Sequence, residues 1–280
     1  MVTPLSLIHI YDTLPEAIVQ HWAEYGGNIF EDSLELSAGD LPWSAILEDY
    51  FEENNGYDIV PYLPLLVNRA KSNFSHSTDK TETYTAIDND TINQELFDDY
   101  FYNLSDMYVE NHIDVISDWC ASYGIQYRAQ AQGTGNIEWV EPLDSQAHVD
   151  VIEGESLGFT ASPDAFRSLA GAANLSGSGI VSCEFGAEYG SLYQITWQWL
   201  TELVNKCAMA GANQFYLHGF ASQAQQTASN SWPGWMPFDA PKFCETWNNN
   251  QPSWDYMDEN LVNYVSRLQT YLDVYKRQVS

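Results

Sequence analysis

The chain has 280 residues, 45% hydrophobic and 14% aromatic, with ten basic against 39 acidic side chains and a formal net charge of −29. This length and apolar content suffice for one globular domain with a sizeable core. So negative a field repels phosphate backbones and anionic lipid, which excludes nucleic acid and membrane surfaces as partners, and no apolar run approaches a membrane span.

Neutral ligands or cations suit the charge better. Ten Trp and eighteen Tyr stand out in so acidic a chain. Many belong in a core, but flat amphipathic rings also make platforms on which sugars stack. Cys120, Cys183, Cys207 and Cys244 are widely spaced with no C-x-x-C pair, so zinc and thioredoxin-type chemistry have no support. Cys183, in an apolar run, and Cys207, on a helix face, read as small core residues rather than bridge partners. N-x-S/T sequons begin at Asn73, Asn89, Asn103 and Asn174 and hint at a secreted, extracellular protein.

The two ends stand apart. Leu5-Ser6-Leu7-Ile8-His9-Ile10 back-translates to CTG TCT CTT ATA CAC ATC, and Asp273-Val274-Tyr275-Lys276-Arg277-Gln278 to GAT GTG TAT AAG AGA CAG. The two strings are reverse complements and match a transposon end used as a sequencing adapter. Residues 1–10 and 273–280 are therefore expected to be adapter-derived, and residues 11–272 an internal piece of a longer metagenomic gene product.

Residues 14–25 read as a helix, with Pro15 near its start and Gly26-Gly27 as its stop. Asn28 to Leu36 reads as a strand that turns polar. A helix over 43–54 stops at Gly56, and 57–64 reads as extended because residues before proline avoid the helical region. Residues 68–90 lack periodicity. Thr91-x-x-Gln94 is a capping box for a long helix through Trp119, with Leu96, Phe97, Tyr100, Phe101, Leu104, Met107 and Tyr108 on one face. Gly124 ends it, and 125–132 reads as a strand. After an irregular loop come strand 148–153, a helix from Ser162-Pro163 to about Leu175, strand 179–186, helix 193–210 closed by Gly211, and strand 213–220. A Trp- and Pro-rich loop, Ser231-Trp232-Pro233-Gly234-Trp235, precedes a last helix over 258–272.

Strand starts near 148, 180 and 213 give βα units of about thirty residues, the size found in a (β/α)8 barrel or a doubly wound sheet. No G-x-G-x-x-G or P-loop follows any strand, and polar residues close five of them. The expected fold is thus α/β: a TIM-barrel-like catalytic domain, N-terminally truncated, with about five βα units present and the other three upstream.

Those strand ends carry Asp32 and Glu35, Gln130 and Gln132, Glu153 and Glu155, Glu184, and His218. There is no G-x-S-x-G elbow and no H-E-x-x-H. What gathers is carboxylates. Two facing each other across a neutral substrate meet the requirement of glycoside hydrolysis, and further acids could hold a calcium ion. Each residue also has a structural reading. A strand-end Glu can cap a loop, His218 can be a hydrogen-bonded structural histidine, and Glu31, Glu48, Glu52 and Glu53 can be solvated. Gln130 and Gln132 point the same way from a strand and either fill a barrel layer or bind sugar hydroxyls. Trp232 and Trp235 form a packed lid or a sugar platform.

The motifs, in order, resemble glycoside hydrolase family 106, the α-L-rhamnosidases. They are Asp32-Ser33-Leu34-Glu35, Gly56-Tyr57-Asp58, Pro61-Tyr62-Leu63-Pro64, Glu110-Asn111-His112, Arg128-Ala129-Gln130-Ala131-Gln132-Gly133, Glu153-Gly154-Glu155-Ser156, Val181-Ser182-Cys183-Glu184, Leu217-His218-Gly219, Trp232-Pro233-Gly234 and Gln251-Pro252-Ser253-Trp254. The resemblance implies a (β/α)8 domain, inverting exo-hydrolysis of a terminal α-L-rhamnoside on a plant or microbial glycan, and Ca2+ at the sugar. By position it implies Glu35 as general base and Glu184 as general acid. Glu155, with Glu153, would be a metal carboxylate, and Asp32, Gln130, Gln132, Glu155, His218 and Trp232 would face the substrate. The competing readings are a glycosidase of other sugar specificity and a non-catalytic carbohydrate-binding protein on the same fold. A metal-dependent esterase or deacetylase would have only His112, His148 and His218 to draw on.

Overall fold

The computed structural model describes residues 13–34, 41–66, 90–131, 140–157, 162–187, 195–218 and 255–276. The chain divides into two compact units: Met1–Tyr127 with Ala131–Val149, and Arg128–Gln130 with Asp150–Ser280.

The first unit contains helix α1 (Glu16–Tyr25), strand β1 (Asn28–Glu31), helix α2 (Leu47–Asn55), a 3-10 turn at Val60–Tyr62, helix α3 (Asp90–Tyr108), a π-helical turn at Val109–Ile113, helix α4 (Asp114–Ser122), the first half of strand β2 (Gln126–Ala129) and helix α5 (Pro142–Ala147). The apolar stripe read from the sequence forms its core: Leu96, Phe97, Tyr100 and Met107 of α3 pack with Leu47, Phe51, Ile59 and Leu66, and Leu104 flanks them. The hydroxyl of Tyr100 donates to the carbonyl of Pro42, and that of Tyr57 to Asp99 Oδ2 at 2.9 Å.

Three expectations change here. The long helix runs unbroken from Asp90 to Ser122 but not in one phase: a π turn at Val109–Ile113 adds a residue, and the buried face shifts to Val109, Ile113, Ile116 and Cys120. The segment around Pro61 is not extended. Pro61 sits in the first turn of the 3-10 element, where a missing N–H has no partner to lose, and the turn lets Ile59 become fully buried. The loop before β3 contains α5, whose start is written in Glu141-Pro142-Leu143-Asp144: Glu141 Oε2 accepts from Asp144 N at 2.7 Å.

The second unit holds the rest of β2, strand β3 (Val151–Glu155), helix α6 (Pro163–Ser176), strand β4 (Val181–Phe185), helix α7 (Trp197–Met209), strand β5 (Gln214–Leu217), a π turn at Asp258–Val262 and helix α8 (Asn263–Lys276), which runs past the expected end at Leu272. Strand order in the sheet of five is sequential, β1-β2-β3-β4-β5, and the pairings from β2 to β5 are parallel. The thirty-residue repeat is therefore real, with β3, β4 and β5 starting at residues 151, 181 and 214. Sequential parallel order is what part of a barrel shows. A closed barrel of eight strands is not seen among the described residues.

Asn213 fastens β5 to β4. Its Oδ1 accepts from Val181 N and its Nδ2 donates to Gly179 O, both at 2.8 Å, while its own N–H donates to Val181 O at 2.8 Å. Cys183 and Cys207 are buried free thiols, as their sequence setting implied, and burial pushes the Cys183 thiol well above its ordinary range. Gly211, after α7, has φ +117°, and a Cβ there would lie 2.6 Å from Ala170 Cβ in α6. The chain turns where only glycine fits. Gly211→Ala is expected to destabilise the protein by about 2 kcal/mol or more, combining a strained φ with overpacking. The urea midpoint measures it, and an unchanged midpoint would mean that α6 and α7 need not meet this closely.

Candidate active site

The second unit's strands alternate between two chemistries, with Val151 the apolar exception on the polar face. In parallel register, Arg128 pairs with Val151, Glu153 with Ser182 and Gln214, and Glu155 with Glu184 and Tyr216. Side chains two apart share a face of a strand. One face therefore carries Arg128, Gln130, Glu153, Glu155, Ser182, Glu184, Gln214 and Tyr216, with His218 beyond. The opposite face carries Ala129, Ile152, Val181, Cys183 and Phe185, all buried, and meets the crossover helices.

The polar face is a connected network. Glu153 is 1% exposed, and its Oε2 accepts from Arg128 Nη1 at 2.6 Å and from Ser182 Oγ at 2.5 Å. Gln130, with no exposed surface, donates Nε2 to Glu184 Oε2 at 2.9 Å and lies 3.5 Å from Glu153 Oε1. The guanidinium of Arg128 also sits over the Tyr216 ring, 3.8 Å from its centroid, and Gln214 Nε2 donates to the Tyr216 hydroxyl at 2.9 Å. Glu184 Oε1 is 4.0 Å from His218 Nε2. The N–H of Ser156 donates to Glu184 O at 2.8 Å, extending β3–β4 pairing past Glu155. Gln130 Oε1, Gln214 Oε1 and Ser156 Oγ are buried without a hydrogen-bond partner.

Of the residues read from the sequence, Gln130, Glu153, Glu155, Glu184 and His218 lie on this face. Asp32 lies in the first unit, exposed just after β1, and its Oδ1 accepts from Ser33 N at 2.8 Å, a local turn contact. Glu35, Gln132, Trp232 and Trp235 lie outside the described residues.

Calcium at the Glu153–Glu155 pair meets a poor fit on one side. The Glu153 carboxylate is already neutralised by Arg128 and bonded by Ser182. The described residues contain no group of three or more His, Cys, Asp or Glu able to hold a metal ion. Glu155 is buried at the same strand end, opposite Glu184 in register.

Sequence reading missed Arg128, Ser182 and Tyr216, although it quoted the first two within motifs. A basic residue two positions before a buried glutamine, on an alternating strand, has to find an acid across the sheet; that was the available signal. Glu31 is a correction. It is not simply solvated: at the end of β1, half-buried, its Oε1 is 2.6 Å from His112 Nε2 and its Oε2 accepts from the Tyr127 hydroxyl at 2.8 Å. His112, on the π turn, also stacks on Tyr108 at 5.2 Å. Burial, with Glu31 close by, pushes both the Tyr108 and Tyr127 phenols up, so both stay neutral.

A buried, alternating polar face at the ends of parallel strands defines a ligand-handling α/β protein with carboxylates at its centre. The family profile that matches residues 8–279 is described as alpha-L-rhamnosidase, glycoside hydrolase family 106, and the chain belongs to this family. Among solved structures, one titled as that of a rhamnosidase from Novosphingobium sp. PP1Y is similar over 82% of this chain, with TM-score 0.57 and 16% identity. The chain spans 20% of that protein's length. No curated protein matches the sequence.

Replacing Arg128 by Met leaves the Glu153 carboxylate buried and unneutralised, and is expected to cost about 3–5 kcal/mol of stability. Adding Glu153→Gln removes the stranded charge and should recover most of that loss in the same denaturation series. An additive double mutant would mean that the two residues do not form a pair.

Proposed function

We propose that the intact protein is an inverting, exo-acting glycoside hydrolase of α-L-rhamnosidase type, with Glu184 as proton donor and Glu35 as general base. The observation that carries the reading is Glu184 itself: a carboxylate at a parallel strand end, held through one oxygen by a buried glutamine on a face rich in hydrogen-bonding groups. Family membership supports a glycosidic substrate, and the net charge of −29 suits a neutral one.

In this chemistry the carboxyl of Glu184 passes its proton to the glycosidic oxygen as the C–O bond breaks. Glu35 takes a proton from a water attacking the anomeric carbon from the opposite face. The new C–O bond forms with inverted configuration, leaving Glu184 as the carboxylate and Glu35 protonated. A general acid must hold its proton at working pH. Glu155 and His218 flank the donor, and Gln132, Asp32 and Trp232 remain the proposed sugar contacts. Calcium enters the proposal only through Glu155, because Glu153 is already paired with Arg128; no step is routed through the ion.

A secretory location belongs to the same proposal. The sequon at Asn174 is exposed, whereas Asn103 is buried, donates to Asp99 O at 2.7 Å and accepts from Asn54 at 3.0 Å, so Asn103 is no glycan acceptor in the folded chain.

The test is hydrolysis of a panel of nitrophenyl glycosides by the intact gene product. A rhamnoside is expected to be cleaved, and Glu184→Gln and Glu35→Gln are each expected to lower kcat by about 10²–10⁴-fold. Full activity in either variant removes that residue from its role. Cleavage of another sugar in preference keeps hydrolysis and replaces the rhamnoside. A chelator arm decides whether an ion is required.

A further inference from the structure

We propose that Gln130 is a positioning residue for Glu184, fixing which carboxylate oxygen faces the scissile bond, rather than a ligand of the sugar. This rests on the reading of Glu184 as proton donor. Gln130 is fully buried directly after β2, and its amide nitrogen lies between two acids: 2.9 Å from Glu184 Oε2 and 3.5 Å from Glu153 Oε1. Its orientation follows from charge. With the amide reversed, its carbonyl oxygen would point at two carboxylates. As it stands, that oxygen is buried with no partner, so the amide holds its N–H groups on the acids although its own acceptor goes unsatisfied.

The far side of the assembly is tied by further bonds. Glu153 cannot follow a moving Gln130, because Arg128 Nη1 at 2.6 Å and Ser182 Oγ at 2.5 Å hold its Oε2. Arg128 in turn sits over Tyr216, with its Cζ 3.8 Å from the ring centroid. Backbone strands in register carry every member. With Oε2 of Glu184 held by Gln130, the carboxyl presents Oε1, on the side of His218, as the edge from which a proton can leave. Gln130 thus touches the reaction only through Glu184.

Acid catalysis has a signature that neither sugar binding nor folding shares. A poor leaving group needs the donor's proton, whereas an activated aryl leaving group departs without it. The experiment compares wild type, Gln130→Met, Gln130→Asn and Glu184→Gln in the intact gene product, each on a dinitrophenyl glycoside and an alkyl glycoside of the same sugar. Met keeps the length of Gln without its N–H groups; Asn keeps the amide but withdraws it by a methylene.

Gln130→Met is expected to lose about 10²-fold in kcat on the alkyl glycoside, as a displaced catalytic group does, with less than about threefold change on the dinitrophenyl glycoside and KM held on both. Gln130→Asn should show the same selectivity, and it carries the test should the Met variant fail to fold in a thermal melt. Equal losses on both substrates, or a raised KM with kcat intact, would overturn the proposal and return Gln130 to sugar binding. Were Glu184→Gln itself to lose equally on both, the proton-donor reading would have failed, and the positioning role would fall with it, separately from any behaviour of Gln130.

Discussion

The second unit depends on one buried charge. Glu153 sits in the middle of a parallel strand with almost no exposed surface, where a lone carboxylate would be too costly to keep ionised. What makes it tolerable is its surroundings: the Arg128 guanidinium, the Ser182 hydroxyl and the Gln130 amide arrive from the strands on either side. Those groups meet only if β2, β3 and β4 keep their register, because a slip of one residue would turn Arg128 or Ser182 to the apolar face. The ion pair thus specifies alignment, and alignment sets Glu155 beside Glu184 at the strand ends.

The sequence carried the arrangement of the unit well, because its signals were local. The spacing of apolar runs, the Ser162-Pro163 start and the glycine at 211 describe β3–α6–β4–α7–β5 before any tertiary contact is known. Glu184 and Gln130 could be placed at strand ends for the same reason. Their partners could not. That Gln130 would reach Glu184 across β3, or that Arg128 would find Glu153, depends on register, which no single strand encodes. The π turn at Val109–Ile113 and the pairing of Glu31 with His112 failed for a related reason: a helix that changes phase looks uniform to a periodicity argument, and Glu31 looks like any acid at a polar strand end.

The first unit shows the same habit of holding acids in place. Glu31 takes a histidine from a π turn and a tyrosine from β2, and Tyr50 donates to Glu110 at 3.0 Å, with burial and Glu110 pushing its phenol up to about 12. In a chain with 39 acids and ten basic residues, most carboxylates cannot be neutralised by cations. Tyrosine, serine and amide donors take that part. They fix carboxylates without cancelling their charge, which keeps them chemically available while their geometry is set.

The alternation of the strands argues for what the polar face is for. Parallel sheets bury both faces, and their strands usually read as continuous apolar runs. Here the helix-facing side obeys that rule while the other carries Arg128, Glu153, Glu184 and three glutamine or serine groups. Right-handed crossovers in sequential strand order bring successive helices to the same side of the sheet, here the apolar one. An apolar cover would strand those groups without hydrogen bonds. They can be covered only by water, by other polar strands or by a ligand dense in hydroxyls. Gln130 Oε1, Gln214 Oε1 and Ser156 Oγ are buried and unpartnered, the cost of packing so many polar groups on one face of a sheet.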